Sequence, residues 1–393
     1  MSCIVQKFGG TSVATLERIR HVADIIAQTR QKGHQVVAVV SAMAGVTNKF
    51  VEYAHNLNAY EGESEYDSVV SSGELVTSGL LAIALKNLGL NARSYTSWQV
   101  PIRTDDNYGQ ATIKSVDNLN LRRDIQSGTI PVVAGFQGIS SQNKVTTLGR
   151  GGSDLTAVAV ASALNAELCE IYSDVDGVYT IDPNLYADAK KIDEISDCEM
   201  LAMAAQGAKV LQEQSVNYAM QKGVTIRVAS SFLDNGGTII SGKVKTKKFT
   251  GLAVARSLSQ ITVQCKAGVD VTKISALLER HFIKVETCKN LSPSKLLIMI
   301  DKDKVTAAVN ILSASDLVEN VKQEVTRKRL ARVSVIGNGA TNAVAEELTE
   351  VLHNANVSVF EKNVTNYRIN LIIPSDRLQI AVAKLHQHCG LGL

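Results

Sequence analysis

The sequence predicts an α/β protein in which a mainly parallel sheet is sandwiched by helices and followed by two small ferredoxin-like βαββαβ modules. Three observations carry that expectation. As far as about residue 240, short apolar runs alternate with stretches of helical period in βαβα order, which builds a parallel sheet with ligands at the carboxyl ends of its strands. Two glycine-rich turns open helices, at Gly9-Gly10-Thr11-Ser12 and at Gly149-Arg150-Gly151-Gly152. Beyond about residue 245 glycine thins out and a βαββα pattern occurs twice, with first strands about 70 residues apart.

A chain of 393 residues holds two or three domains at about 100–200 residues each. With 45% hydrophobic residues it can bury a large core, and a net charge of +3 is too slight to call for nucleic acid or a membrane surface as partner. No basic-then-apolar leader opens it, and no run of about 18 apolar residues interrupts it. The six cysteines are scattered without a Cys-x-x-Cys pair and read as small core residues in a reducing compartment, the cytoplasm. His386-Gln387-His388-Cys389 is metal-like, but without further ligands nearby it reads as a solvated helix end.

Cys3–Phe8 is a short apolar strand that runs into Gly9-Gly10-Thr11-Ser12 and then a helix through Ile19, Val22, Ile25 and Ile26. Lys7 precedes the glycines, whereas the lysine of a P-loop follows them, so a different phosphate geometry is expected. Gln35–Val40 is a buried-type strand that ends in a small, hydroxyl-rich loop from Ser41 to Thr47 and Asn48. Ser68–Leu90 is helical with an interruption at Ser72-Gly73-Glu74-Leu75, and Glu74 on its own reads as a solvated helix residue. Strands at Ala92–Thr96 and Thr129–Phe136 flank a mixed loop through Thr104–Gly109.

The stretch Thr147–Ala161 joins a glycine turn to an apolar helix, with Ser153 as the expected N-cap. Unpaired N–H groups at that helix start, with the Arg150 guanidinium, suit an anion; a turn merely tightened by glycine is the other reading. Leu168–Ser173 is a strand, and Asp176-Gly177 marks a hairpin across Asp174–Pro183, whose aspartates serve turn chemistry or a ligand. Glu199–Lys222 is helical with a break at Gly207-Ala208-Lys209, and Thr225–Ser230 is a strand.

In the tail, strands Ile261–Cys265, Phe282–Thr287 and Leu296–Ile300 with helices Val271–His281 and Val305–Ser313 make the first unit. Strands Val333–Ile336, Val357–Val364 and Ile369–Ile373 with helices Ala343–Asn354 and Leu378–His388 make the second. Gly268, Gly337 and Gly339 each stand between a first strand and a first helix, where free amides would hold an α-carboxylate.

Four stretches, Lys7–Ser12, Thr147–Asp154, Ser173–Pro183 and Gly207–Leu211, with Ser72-Gly73-Glu74-Leu75, together resemble the aspartate kinases of the amino-acid kinase family. The tail resembles paired ACT domains. The resemblance implies the amino-acid kinase fold over residues 1–240, a linker, shared strand and first ACT module over 241–330, and a second ACT module over 331–393. It implies transfer of the γ-phosphoryl group of ATP, with Mg2+ on its phosphates, to the β-carboxylate of L-aspartate. The product, 4-phospho-L-aspartate, opens the routes to lysine, threonine and methionine.

Residue by residue, the resemblance puts Lys7 on the transferred phosphate with the amides of Gly9, Gly10 and Thr11, beside Phe8, and Lys209 on the nucleotide phosphates. Asp154 orients the lysines, while Ser173, Asp174, Tyr179, Asp182 and Pro183 hold the nucleoside. Arg150, with Gly151 and Gly152, meets aspartate's α-carboxylate and Glu74 its α-amino group, with Ser41, Thr47 and Ser153 bonding nearby. A homodimer or higher homo-oligomer through the ACT modules is implied, with lysine or threonine held by Gly268, Asp270, Asn338 and Gly339.

The residue chemistry agrees, because a carboxylate acceptor with a free pKa near ~3.9 is already ionised and needs charge neutralisation rather than a general base. Two departures stand out. Gln212-Glu213 replace the family's usual His-Pro, and both tail modules lack the proline-glycine turn common before their first helix. Kinases for glutamate or N-acetylglutamate share the fold, but the Arg150 and Glu74 pair and the doubled tail favour free aspartate. A catalytically silent amino-acid sensor is the remaining reading, opposed by the presence of Lys7, Arg150, Asp154 and Lys209 together.

Overall fold

A computed structural model describes residues 2–208, 210–281, 283–322 and 329–392. Lys209, expected on the nucleotide phosphates, and Phe282, expected to open a strand, lie outside the described residues. The chain forms two compact units, one of the residues up to Tyr179 with Lys191–Thr246, the other of Thr180–Lys190 with the chain from Lys247 onward.

The first unit begins β1 (Cys3–Phe8), α1 (Leu16–Gln31), β2 (Gln35–Val40), α2 (Val46–Asn56), α3 (Ser64–Val70) and α4 (Ser72–Asn87). It continues with β3 (Ala92–Tyr95), β4 (Ile102–Thr104), β5 (Ile113–Val116), α5 (Leu119–Gln126), β6 (Ile130–Ala134), β7 (Gln137–Ile139) and β8 (Val145–Thr147). Next come α6 (Gly152–Leu164), β9 (Leu168–Ser173), β10 (Val178–Tyr179), β11 (Lys191–Ile192) and β12 (Glu194–Ile195). The unit closes with α7 (Asp197–Ala205), α8 (Glu213–Lys222), β13 (Ile226–Ser230) and β14 (Thr238–Ile240).

Eight strands form one sheet in the order β12-β14-β13-β9-β1-β2-β6-β3, parallel except where β13 meets β14. β1, β2 and β6 are buried almost throughout because helices cover both faces, as their near-continuous apolar runs require. α1 starts where the Thr15 hydroxyl accepts from the Arg18 N–H, and it buries Ile19, Val22 and Ile26 in the main core with Leu81 and Leu85 of α4. α6 is buried on nearly all sides, and its small Ala, Val and Thr side chains let it lie close against β1 and β9. The α3–α4 stretch is apolar enough by composition to cross a membrane, but it is broken at Ser71 and packs against α1, β3 and β6 as a core element. A second sheet, β5-β4-β7-β8, carries the chain into the central glycine turn.

The Asp176-Gly177 hairpin is not formed. β10 pairs instead with β11, twelve residues further on by register Tyr179 to Lys191, and the chain between them, Thr180–Lys190, belongs to the second unit. Gly177 serves a different purpose, since a side chain there would strike the Thr238 hydroxyl at 2.7 Å.

The second unit runs β15 (Gly251–Cys265), α9 (Val271–Arg280), β16 (Val285–Ser292), β17 (Lys295–Asp301), α10 (Val305–Ala314) and β18 (Val318–Lys322). It then repeats the pattern as β19 (Leu330–Ile336), α11 (Asn342–Asn354), β20 (Glu361–Thr365), β21 (Arg368–Pro374) and α12 (Leu378–His388). β15 is shared: Gly251–Leu258 pairs with β19 of the second module, and Leu258–Cys265 pairs with β17 and β18 of the first. Each module has its own core, one around Ile261, Ile274, Ile298 and Leu312, the other around Leu252, Val333, Leu352 and Leu385. The expected strand at Val357–Val364 shortens to β20 because Val357, just past the positive-φ Asn356, is spent in the core at the end of α11.

The segment Thr180–Lys190 is part of the second module's core through Ile181 and Leu185. The Thr180 carbonyl accepts from the Leu252 N–H at 2.6 Å, and its hydroxyl lies 2.9 Å from His386 Nε2. His386 is therefore buried and packed on Tyr186, not a solvated helix end, and burial lowers its pKa. His388 pairs with Glu347 instead.

The loops expected to hold an effector are otherwise engaged. The N–H groups of Gly337, Asn338 and Gly339 donate to the carbonyls of Tyr367, Lys247 and Lys248, so they are not free for a carboxylate. Asp270 caps α9 by accepting from the Lys273 N–H at 3.0 Å, while Lys273 Nζ reaches the Gly268 carbonyl at 2.7 Å. The reason is geometric, since the irregular segment through Lys247 and Lys248 that leads into β15 runs against the second loop and takes up its donors.

Candidate active site

Lys7 is the penultimate residue of β1, and its side chain is held among apolar neighbours at 8% exposure. Its Nζ lies 2.6 Å from Asp154 Oδ1, an ion pair between two nearly buried side chains at the carboxyl end of the sheet. Asp154 stands in the first turn of α6, immediately after the central glycine turn. Of the amides expected around a phosphate, that of Gly9 is committed to the Tyr172 carbonyl at 3.1 Å. Those of Gly10 and Thr11 have no acceptor among the described residues.

The loop after β2 is gripped from two sides. A methyl group on Gly10 would come within 3.0 Å of the Ala42 carbonyl, and one on Gly73 within 2.7 Å of the Ala42 Cβ. Only glycine lets the turn after β1 and the start of α4 close on this loop together. The Ser41 N–H donates to the Phe8 carbonyl, which fixes the loop beside β1. Thr47 is not a loop residue, because α2 already begins at Val46.

That closure buries Glu74 at 3% exposure, so the solvated reading fails. Its carboxylate accepts from the Ala42 N–H, while Oε2 has no hydrogen-bond partner among the described residues. Desolvation raises its pKa from 4.5 to about 7. An orphaned carboxylate oxygen in a pocket of this kind asks for a cation.

The central turn differs from expectation in one respect. Gly151, in the left-handed region at φ 74°, precedes α6, and Ser153 lies inside the first turn instead of capping it. Its hydroxyl rests where a Gly135 side chain would be, 2.7 Å from that position. The N–H groups of Gly152, Asp154 and Leu155 are spent on carbonyls of Gly149 and Gly151, so fewer face outward than a bare helix start would offer. Arg150 is exposed at the tip of the turn. Gln212, the departure from the usual histidine, packs its Cγ into the space a Gly151 side chain would take, and it precedes α8 without capping it.

Of the residues expected on the nucleotide, Ser173 ends β9 and its hydroxyl accepts from the Val175 N–H, while Asp174 is exposed. The Tyr179 hydroxyl donates to Asp176 at 2.9 Å. Asp182 and Pro183 lie in the second unit, where Asp182 holds a turn through the Asn184 N–H and pairs with Arg256 at 3.1 Å. Thus Lys7, Gly10, Ser41, Glu74, Ser153 and Asp154 are brought together by the ends of β1, β2 and β6 and the starts of α4 and α6. Ala42, Gly73 and Asp67, discussed below, were not legible as site residues; the small-residue pairing of Gly73 with a strand-end loop was the one available signal.

The Lys7–Asp154 ion pair, the acceptor-free amides of Gly10 and Thr11 and the buried, half-partnered Glu74 carboxylate are groups that phosphoryl transfer to a small acceptor bearing a positive group would use. Comparison with known proteins agrees. The model of the amino acid kinase family matches residues 2–230. An aspartate kinase of Stutzerimonas stutzeri is 37% identical over 98% of this chain and 97% of its own, and the aspartokinase of Mycolicibacterium smegmatis is 38% identical over 100% and 97%. The crystal structure of E. coli aspartokinase III with aspartate and ADP, in the R-state, superposes with a TM-score of 0.78 at 27% identity, covering 98% of this chain and 99% of that one. The T-state of the same enzyme, with lysine and aspartate, gives 0.77 at 26% identity. The chain belongs to the amino acid kinase family, among its aspartokinases.

Proposed function

We propose that this chain transfers the γ-phosphoryl group of MgATP to the β-carboxylate of L-aspartate, giving 4-phospho-L-aspartate and ADP, as the first step of aspartate-family amino-acid biosynthesis. The observation that carries the site assignment is the nearly buried Lys7–Asp154 ion pair at the end of β1 and the start of α6, supported by the buried, half-partnered Glu74. The β-carboxylate, ionised at neutral pH, attacks the γ-phosphorus and the bond to the ADP oxygen breaks; no proton has to be removed from the nucleophile. Two anions must approach, so Lys7 and the Gly10 and Thr11 amides neutralise the charge that develops on the transferred group. Asp154 holds Lys7 in place without itself taking a proton. Lys209 is assigned to the nucleotide phosphates by motif.

Mg2+ arrives on the nucleotide phosphates and supplies further charge neutralisation there. The N–H groups of Gly10 and Thr11, without an acceptor among the described residues, fit a phosphate chain. Arg150 takes aspartate's α-carboxylate and Glu74 its α-ammonium, which holds the substrate by the end that does not react. Ser41, Thr47 and Ser153 hydrogen-bond nearby, and Ser173, Asp174 and Tyr179 contribute to the nucleoside side.

Feedback by lysine or threonine through the two-module unit, assembly as a homodimer or higher oligomer through those modules, and a cytoplasmic location complete the reading. Six free thiols suit a reducing compartment. The lysine-bound T-state of the E. coli relative supports an amino-acid effector. The deciding experiment mixes protein, MgATP, hydroxylamine and either L-aspartate or L-glutamate, and measures acyl hydroxamate. Aspartyl hydroxamate is the expected product; product from glutamate alone would overturn the assignment. The same assay titrated with lysine, threonine and both tests feedback, with unchanged activity and no thermal shift at millimolar effector removing it.

A further inference from the structure

We propose that Asp67 is a positioning residue for substrate discrimination: its buried carboxylate sets the separation between the arm bearing Arg150 and the helix bearing Glu74. The inference rests on the assignment of those two residues to aspartate's α-carboxylate and α-ammonium. Asp67 lies on α3 and is fully buried. Its Oδ2 accepts from the N–H groups of Thr147 at 2.7 Å and Gly109 at 2.9 Å, and its Oδ1 from the Thr147 hydroxyl at 2.9 Å.

Thr147 is gripped on its other side as well, since the Ala111 N–H donates to its carbonyl at 2.8 Å. It ends β8, and only Leu148 and Gly149 separate it from Arg150. In the opposite direction the Asp67 carbonyl accepts from the Ser71 N–H and from the Ser71 hydroxyl, the latter at 2.7 Å, at the break between α3 and α4. Gln137 Nε2 donates to the Ser71 carbonyl at 2.6 Å, and Glu74 sits one turn further on. One residue, through its carboxylate on one side and its carbonyl on the other, thus joins the two arms that would bracket the substrate.

All three bonds are accepted by one buried carboxylate, two backbone N–H groups on Oδ2 and the Thr147 hydroxyl on Oδ1. Burial raises the pKa of this carboxyl against the three hydrogen bonds that lower it, so the fold bears a desolvation cost to keep it there. An amide of the same size can keep both backbone N–H groups on its one carbonyl oxygen, but it loses the charge that strengthens those bonds and turns an NH2 toward the Thr147 hydroxyl, which must reverse from donor to acceptor. Aspartate and glutamate differ by one methylene between the α-carbon and the reacting carboxylate. A site that fixes the α-groups firmly therefore selects which carboxylate reaches the phosphate, and a loosened one selects less.

The test is steady-state kinetics with aspartate, glutamate and ATP on five variants, with unfolding midpoints alongside. Asp67→Asn, which removes the charge from the acceptor of three hydrogen bonds, should raise the aspartate KM about tenfold, leave the ATP KM within about twofold, and narrow the preference for aspartate over glutamate. Thr147→Val, which removes one donor and keeps the carboxylate, should do the same to a smaller degree, and Thr147→Ser should restore it. Asp124→Asn is the control: this other buried carboxylate holds Tyr95 and Arg93, and its loss should lower the midpoint without moving the aspartate KM. If Asp67→Asn does not fold, the Thr147 pair decides. An unchanged aspartate KM, or equal rises for aspartate and ATP, overturns the inference provided Arg150→Ala still raises the aspartate KM. An Arg150→Ala enzyme with unchanged aspartate KM overturns the substrate assignment itself.

Discussion

At the scale of single residues, the two groups that matter most, Glu74 and Lys7, are both buried. Glu74 has its pKa raised from 4.5 to about 7 by burial, so the empty site is half protonated near neutrality. An acid whose folded pKa is raised binds more protons folded than unfolded, so its contribution to stability is present below about 4.5 and is lost as pH rises through about 7. The resulting penalty at pH 8 is roughly 3 kcal/mol, and a bound ammonium offsets it. The expected outcome is an aspartate KM about tenfold higher at pH 6 than at pH 8, with a larger thermal upshift from aspartate at pH 8. Glu74→Gln should flatten both profiles. A profile that stays steep in that variant would assign the titration to another group. For Lys7, replacement by alanine removes a preorganised cation at developing charge and leaves Asp154 buried without its partner. Hydroxamate formation should fall by about a hundredfold or more, together with a lower unfolding midpoint.

At the scale of elements, legibility depended on whether an element's partner was local. β1, β2, β9 and α12 lie where their apolar runs and bounding glycines put them, because a strand buried on both faces or a helix with one apolar face declares itself in a short window. The first half of β15 does not. Its Ala-Val-Ala-Arg-Ser composition is unremarkable, and it becomes a strand through pairing with β19, about 80 residues further along the chain. Glu74 misleads for the same reason: nothing near it in the chain shows that Gly73 will press against Ala42 and close water out. Gly73→Ala tests that contact directly. Its new methyl group would meet the Ala42 Cβ at 2.7 Å, which must push α4 from the loop after β2. Destabilisation of about 1–3 kcal/mol and a raised aspartate KM are expected from denaturant melts and kinetics, and a change in the ATP KM alone would contradict the picture.

At the scale of the whole molecule, the chain is not two beads on a string. The first unit is interrupted by Thr180–Lys190, whose Ile181 and Leu185 are core residues of the second unit. A chain ended after Thr246 should therefore expose both side chains and express as aggregate, whereas the same truncation with 180–190 replaced by a short glycine turn should be soluble and monodisperse by size-exclusion chromatography. Equal solubility of the two would mean that the segment carries no weight in the second core.

The same segment imposes an order on synthesis. Leu185 leaves the ribosome long before Leu385 of α12, its eventual neighbour in one core, roughly 200 residues later; at about 5–20 residues per second the delay is about 10–40 s. During that interval the first unit can close its parallel sheet but must carry an unsatisfied apolar loop. The newborn chain is thus exposed to chaperone capture and to proteolytic cleavage at one defined place, between Tyr179 and Lys191, until its C-terminal helix has emerged.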